Sequence, residues 1–189
     1  MGVMMKTALK LLLILTVLTG LIYPLVVTGI AQALFPWRAN GSRTYHQGMS
    51  TGSALIGRHY DKPEYFWGRL SATAGTPYNS ASSSGSNYGP HNPLLHSAME
   101  DRREKLLAAG PGNTMPIPMD LLTASASGLD AHISPEAARY QAPRVARLRA
   151  TTLERVHQLI DQCTEPRQFG IFGEPVVSVV ALNGALDGK

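Results

Sequence analysis

The sequence contains a single cysteine, Cys163, so no disulfide can form within the chain. Cysteine usage therefore leaves the cellular compartment open. Several catalytic motifs are also missing: the phosphate-binding patterns G-x-x-x-x-G-K-[ST] and G-x-G-x-x-G and the zinc pattern H-E-x-x-H. These absences count against a nucleotide-dependent enzyme and a zinc hydrolase.

Apart from its N-terminal residues, the chain also lacks an excess of positive or negative charge. The net charge is +4, and Lys6 and Lys10 supply half of it. From Arg38 onward, 15 Lys and Arg face 13 Asp and Glu, and the basic residues are scattered along the chain. Their densest group lies in helical sequence, as expected for a solvated helix face. The charge distribution therefore predicts no nucleic-acid partner.

Charge is absent altogether from the 25 residues between Leu11 and Phe35. A helix of that length spans about 37 Å at ~1.5 Å per residue, and the hydrocarbon core of a bilayer is about 30 Å thick. We therefore expect a short basic N-terminus (residues 1–10), a transmembrane anchor helix (11–36) and a single domain (37–189). A cleaved signal peptide is the alternative, because Ala31-Gln32-Ala33 resembles a cleavage site, although its apolar region would be unusually long.

One face of the predicted anchor carries small and polar residues four positions apart: Thr16, Gly20, Pro24 and Thr28. Small residues let membrane helices approach each other closely, so this face is a candidate for packing against a partner helix. Pro24 removes one backbone hydrogen bond and is expected to kink the helix.

The orientation of the anchor follows from its position near the N-terminus. A short basic N-terminus before a long domain is typical of a signal anchor, whose N-terminus stays in the cytoplasm. We therefore place the domain from Arg38 to Lys189 outside the cytoplasm, in the periplasm or the extracellular space.

The rest of the chain predicts a mixed α+β domain. Apolar spacing and capping residues indicate helices from Pro93 to Gly110, from Pro135 to Pro143 and from Arg144 to about Gln162. Strands are predicted at Ser53–Gly57 and, as a buried β-branched run, at Val176–Leu182 with a turn at Asn183-Gly184.

Two further segments predict irregular structure. The serine-rich segment Thr76–Asn92 contains prolines in rigid turns and is predicted as an ordered surface loop. Asp120 is expected to cap a short turn over residues 121–124, and a loop is expected over residues 125–133.

An acid, a base and hydroxyl nucleophiles occur close together in the sequence. They are Asp130, His132 and the serines Ser125, Ser127 and Ser134. A membrane-tethered serine hydrolase using Ser134 or Ser127 is therefore one hypothesis. Hydrolase triads, however, are assembled from distant segments. The favoured interpretation is structural: Asp130 accepts backbone N–H groups in the loop, and Ser134 caps a helix.

Several segments resemble the C subunit of the bacterial Kdp potassium-transporting ATPase. In chain order they are YPLVVTG (23–29), ANGS (39–42), GSALIG (52–57), YFWGR (65–69), PYN (77–79), SGSNYGP (84–90), residues 120–138, FGEP (172–175) and Leu182-Asn183. The resemblance covers almost the whole chain in order. The chain departs from the family pattern at Arg58, Leu70, Ala126, Ala131 and Ser178.

The resemblance implies a non-catalytic accessory subunit of a complex that imports K⁺ with ATP across the bacterial inner membrane. Its implied partners are a channel-like A subunit, a P-type B subunit that hydrolyses ATP, a small F peptide and membrane lipid. No metal and no tightly bound cofactor are implied for this chain, and ATP enters only through the complex. In that setting the hydroxyl and amide groups of Tyr78, Asn79, Ser84, Ser86 and Asn87 are candidates to contact the partner or its ion mouth.

The resemblance also implies a catalytic chaperone that raises the ATP affinity of the B subunit, with Gln141 in contact with the nucleotide. This conflicts with the expected topology, because ATP is cytoplasmic and an exported domain cannot reach it. A membrane-tethered nucleotide-binding regulator remains the alternative function, and an indirect effect on ATP through assembly satisfies both expectations.

Overall fold

The computed structural model describes residues 2–46 and 48–188. The chain divides between Ser53 and Ala54 into two units. The first unit is mainly helical and the second is a mixed α/β domain with a small sheet. This architecture confirms the predicted fold class, an apolar N-terminal helix followed by a mixed α/β domain.

The N-terminal unit is dominated by one long helix. It comprises α1 (Gly2–Val17), a π-helical turn (Leu18–Ile22) and α2 (Tyr23–Leu34), followed by the short α3 (Pro36–Ala39). The helix starts earlier than its apolar sequence suggests, because Lys6 and Lys10 are also helical. A hairpin of β1 (Arg43–His46) and β2 (Met49–Ser53) ends the unit.

The π-helical turn lies immediately before Pro24. The Tyr23 N–H donates to the Leu18 carbonyl, five residues back, so this turn is wider than an α-helical one. Pro24 has no N–H to donate, and single π-turns are a known way for a helix to absorb such an interruption. Where a kink was predicted from Pro24, the structure shows a widened turn ahead of it.

The second unit contains α4 (Pro93–Ala109), α5 (Met119–Leu122), α6 (Pro135–Leu148), α7 (Leu153–Gln162) and α8 (Val179–Leu186). Its antiparallel sheet has the order β3 (His132–Ile133), β5 (Val176–Ser178), β4 (Thr164–Glu165). Val177 in the central strand is paired with Ile133 on one side and with Thr164 on the other.

The core lies between α6, α7, α8 and the sheet, and it also receives side chains from outside these elements. Its largest members with less than 2% exposure include Phe66, Leu121, Val145, Ile160 and Leu182. Phe66 and its neighbour Trp67 belong to a segment without helix or strand, and this segment positions the candidate site.

Two helix starts are confirmed by their caps. The Asn92 side chain accepts from the Leu94 N–H ahead of Pro93, and the Ser134 side chain accepts from the Ala137 N–H ahead of Pro135. In both places a short polar side chain satisfies a free N–H of the first turn, and proline stands where no donor is needed.

Pro143 was predicted to stop or kink a helix; the prediction that it stops the helix was wrong, because α6 continues through it to Leu148. Pro143 and Arg139 lie on the exposed side of α6, so water can satisfy the carbonyl that the proline leaves without a donor. The helix ends instead at Arg149, where Ala150 adopts a left-handed φ of 49°. Thr152 then caps α7, so the predicted continuous helix from Arg144 to Gln162 was also wrong.

The other corrections concern strands and turns. The predicted strand Ser53–Gly57 is wrong, since β2 ends at Ser53 and a turn follows. The predicted strand Val176–Leu182 is cut short at Ser178, whose side chain accepts from the Ala181 N–H and caps α8, so Asn183-Gly184 is helical. Pro118, not Asp120, holds the N-cap position of α5, and the predicted loop 125–133 ends in β3.

Candidate partner-binding site

The backbone of residues 66 and 67 is paired by side-chain amides. The Asn183 amide accepts from the Phe66 N–H at 2.9 Å and donates to the Phe66 carbonyl at 2.9 Å. The Gln141 amide does the same for Trp67, at 2.8 and 3.1 Å. Buried backbone groups need partners, and here two helices supply them in place of a neighbouring strand.

Guanidinium groups pair the carbonyls on both sides of these two residues. Arg102, Arg144 and Arg149 donate to the carbonyls of Gly68, Tyr65 and Glu64, respectively, at 2.8, 3.0 and 2.9 Å. The guanidinium carbons of Arg102 and Arg144 also lie 5.1 and 4.6 Å from the centre of the Trp67 ring, within cation–π range. Burial, reinforced by the charge of Arg102, lowers the pKa of Arg144 to about 10, so Arg144 remains a cation at neutral pH.

Gln141 therefore sits at the centre of a buried network. Its side-chain oxygen accepts from both the Trp67 N–H and Arg144, and its nitrogen donates to both the Trp67 and Ala137 carbonyls. An amide has two donors and two acceptor sites, so the capacity of Gln141 is filled. The residue is 1% exposed, and a ligand outside the fold would have to displace the core segment to reach it.

The serine-rich loop is folded back onto the domain through Tyr78. The Tyr78 hydroxyl donates to the Arg69 carbonyl at 2.7 Å, and its N–H donates to the Ser71 hydroxyl at 2.9 Å. The side chain lies against Gly57 and Gly68, where a Cβ atom would approach a ring carbon to 2.4 Å and the hydroxyl oxygen to 2.6 Å, respectively. Burial raises the pKa of Tyr78 to about 12, so the hydroxyl stays a donor.

Further along the chain, the serine-rich loop is hydrogen-bonded to the segment 125–130. The Ser84 N–H and the Ser83 hydroxyl both donate to the Ser127 carbonyl, at 3.1 and 3.0 Å. Asn79 accepts from the Ala81 N–H and donates to the Ala74 carbonyl. Of the five candidate contact residues, Tyr78, Asn79 and Ser84 thus use their polar atoms inside the domain. Ser86 and Asn87 have no side-chain hydrogen bond within residues 2–46 and 48–188, and Asn87 is exposed.

Asp130 links the loops to the sheet. Its carboxylate accepts from the His132 N–H at 3.0 Å and from Arg69 at 3.3 Å, and it lies 3.5 Å from His132 Nδ1. Burial would raise the pKa of Asp130, but the hydrogen bonds from His132 and the Arg69 charge outweigh it and lower that pKa. The bond to Asp130 raises the pKa of His132 despite partial burial. The pair therefore favours its charged forms.

The serines near this pair act on the backbone. The hydroxyls of Ser125, Ser127 and Ser134 accept from the N–H groups of Gly128, Leu129 and Ala137, respectively. In addition, the Ser134 N–H donates to Asp120, which connects α5 to the start of α6. His132 thus contacts Asp130, while each serine side chain serves its own turn or helix cap.

The long N-terminal helix is exposed along its length. None of its described residues is buried, and over its most apolar 18-residue window the mean hydropathy is 2.4. By length and composition it can cross a membrane, a test that an N-terminal signal sequence also passes. On the candidate packing face, a Cβ at Gly20 would meet nothing within 4 Å, so the chain itself leaves room there.

Sequence reasoning missed the roles of Asn183, Arg102, Arg144 and Arg149. A signal was available for Asn183, which directly follows the apolar run Val179–Leu182 and is followed by Gly184-Ala185-Leu186. A polar side chain inside such a run is buried at a cost unless it is hydrogen-bonded, so it marks a structural partner. The arginines gave no comparable signal, because arginine on a helix is usually solvated.

Taken together, the uncovered apolar helix and the small α/β domain define a single-pass type of membrane protein. The profile of one family, KdpC, the c chain of K⁺-transporting ATPase, matches residues 5–188. Several potassium-transporting ATPase KdpC subunits are similar over nearly their full length. The protein of Herpetosiphon aurantiacus is 57% identical over 182 residues, covering 96% of this chain and 94% of its own.

Two other KdpC subunits show the same extent of similarity. That of Methylococcus capsulatus is 56% identical over 96% of both chains, and that of Dechloromonas aromatica is 54% identical over 99% of this chain and 98% of its own. The chain belongs to the KdpC family. It is accordingly a subunit of a potassium-transporting ATPase complex, as the resemblance in the sequence indicated.

Proposed function

We propose that this chain is a non-catalytic accessory subunit that stabilises the assembly of the potassium-transporting complex in the bacterial inner membrane. Its partners in this proposal are the channel-like A subunit, the P-type B subunit and the small F peptide. The observation that carries the proposal is the long apolar helix without a single buried residue, which leaves its whole surface available for lipid and for partner helices.

Any influence on ATP use is, in this proposal, indirect. Gln141 is the residue that the resemblance connects with nucleotide, and its amide is buried and fully hydrogen-bonded to Trp67, Ala137 and Arg144. A role in holding the core segment in place accounts for this residue without a nucleotide. The effect on the ATP-hydrolysing subunit would then pass through the stability of the assembly.

We expect substitution of Gly20 by Leu to lower the recovery of the other subunits with this chain several-fold. In the chain itself the added side chain meets open space, so the loss would come from a partner helix that packs against Gly20. The measurement is co-purification from detergent-solubilised membranes. Ile22→Phe is the control, because Ile22 lies two residues on and therefore on the opposite side of the helix. Unchanged recovery with Gly20→Leu would refute packing at this face.

The proposed location of the domain outside the cytoplasm can be tested by thiol labelling. Glu154 is exposed on α7, so Glu154→Cys should react with a membrane-impermeant maleimide on intact cells. The unsubstituted chain is the control, because burial raises the pKa of the Cys163 thiol and makes it less reactive. Labelling that occurs only after the cells are broken would place the domain in the cytoplasm and would reopen direct contact with ATP.

A further inference from the structure

Three highly exposed large apolar side chains of the second unit lie together at the end of one hairpin. Phe169, Ile171 and Phe172 are 90%, 72% and 64% exposed. Residues 169–172 are called the apolar tip below. Single exposed apolar residues are ordinary, but three large ones in four positions mark a surface that another molecule covers.

The conformation of the tip is unusual for its residues. Phe169 has a φ of 54° and Gly170 has a φ of 73°, so both adopt the left-handed region. Glycine does this without strain, whereas a bulky aromatic residue does not. Packing of the Phe169 side chain within the described domain does not offset this strain, because the side chain is 90% exposed.

Three of the four backbone N–H groups of the tip, those of Gly170, Ile171 and Phe172, are already hydrogen-bonded. Gln168 and Phe172 exchange two hydrogen bonds of 2.9 Å, and the N–H groups of Gly170 and Ile171 donate to the carbonyls of Arg167 and Gln168, both at 3.1 Å. Because these three N–H groups are satisfied, the tip can enter an apolar environment without leaving them unpaired. Its fixed shape also lowers the entropy lost on binding.

The charges beside the tip decide which environment suits it. Arg167 and Glu174 form an ion pair across the base of the hairpin, so they cancel each other. Binding to an anionic lipid surface gains much of its strength from unpaired Lys and Arg, and the hairpin from Pro166 to Pro175 has none. A rigid, neutral aromatic tip fits instead the anchor residues of protein interfaces, which insert into apolar pockets.

We propose that the apolar tip docks into an uncharged apolar pocket on another protein subunit of the ATPase complex. This inference rests on the proposed function as an assembly subunit. It adds a second contact, made by the folded domain, to the contact made by the membrane helix. Phe169 is the anchor side chain, and the paired backbone holds it ready for insertion.

The test replaces Phe169 with Asn in the full chain and compares two measurements. Asn accepts the left-handed conformation more readily than Phe, so the thermal unfolding temperature of the isolated chain should stay the same or rise. Recovery of the other subunits should fall on the order of tenfold, as for an interface anchor. The control is Leu94→Asn, since Leu94 is also exposed, at 59%, but lies on α4. It should leave recovery unchanged.

A photo-crosslinking phenylalanine analogue at position 169 identifies the occupant. Formation of an adduct with another subunit, together with lost recovery of Phe169→Asn, supports the docking site. An adduct with lipid, or full recovery of the complex with Phe169→Asn, overturns it. These outcomes can be distinguished from a wrong proposed function. If the chain were not an assembly subunit, even the unsubstituted chain would recover no other subunit.

Discussion

Substitution of Gln141 by Leu is expected to destabilise the domain by about 2 to 6 kcal/mol, because two buried backbone groups lose their partners. The change leaves the buried N–H and carbonyl of Trp67 without partners and removes an acceptor from Arg144. Each buried polar group left unsatisfied costs about 1–3 kcal/mol. Since domains are stable by only about 5–15 kcal/mol, the loss removes a large fraction of the stability.

Urea unfolding of the detergent-solubilised full chain, followed by circular dichroism, measures this effect. Gln158→Leu is the matched control, because Gln158 is exposed on α7 and the same change there removes no core hydrogen bond. The control should shift stability by less than about 0.5 kcal/mol.

The same variant separates the two roles considered for Gln141. If the residue mainly contacts nucleotide, Gln141→Leu should fold with normal stability and reduce only the ATP affinity of the complex. If it holds the core segment, Asn183→Leu should behave like it, because Asn183 pairs Phe66 as Gln141 pairs Trp67. Parallel losses of stability and of assembly in both variants are the expected result.

The second large effect is expected at Gly128, where the serine-rich loop meets the segment 125–130. Gly128 has a φ of 68°, and a Cβ there would lie 2.6 Å from Thr73 Cγ2 and 2.7 Å from the Ser84 carbonyl oxygen. Gly128→Ala should therefore cost about 1–2 kcal/mol for the left-handed backbone and a further ~1–3 kcal/mol for crowding.

Gly112→Ala isolates the backbone part of this cost. Gly112 has a φ of 85°, but a Cβ there meets nothing within 4 Å. Urea unfolding should find Gly128→Ala less stable than Gly112→Ala by about 1–3 kcal/mol, the cost of pushing the two loops apart. Equal losses in the two variants would show that the loops separate freely, contrary to the packing described above.

This pair of variants also tests the hypothesis that the serine-rich loop lies at the partner's ion mouth. Ser86 and Asn87 are the candidate residues whose side chains form no hydrogen bond in the described chain, so they are the ones left to face a partner. If the loop contributes there, Gly128→Ala should change the potassium affinity of the assembled complex and Gly112→Ala should not. An unchanged affinity in complexes that do assemble would remove the ion-mouth role.

Local sequence predicted the structure correctly where interactions between neighbouring residues decide it and no distant contact acts against them. The start of α4 at Asn92-Pro93 and that of α6 at Ser134-Pro135 were predicted correctly, because a cap and a proline act on the next few residues only. The apolar N-terminal helix was predicted from the length of its uncharged run, which is also a local property.

Predictions failed where packing decides between local alternatives. Val176–Leu182 has strand composition throughout, yet only its first three residues pair in the sheet. The remainder turns helical from the Ser178 cap and places Asn183 against Phe66. Pro143 likewise could not end α6, because the buried face of that helix is held by core contacts while the proline lies in solvent.

The sequence by itself determined the membrane-type helix, the class of domain and the family, since apolar length, capping residues and ordered motifs are all readable along the chain. Only the tertiary structure decided what Gln141, Asn183 and the three core arginines do. Their partners are backbone groups of residues 64–68, which for Asn183 lie 117 residues away in sequence. Hydrogen bonds over such separations depend on how the helices pack, and no local pattern specifies them.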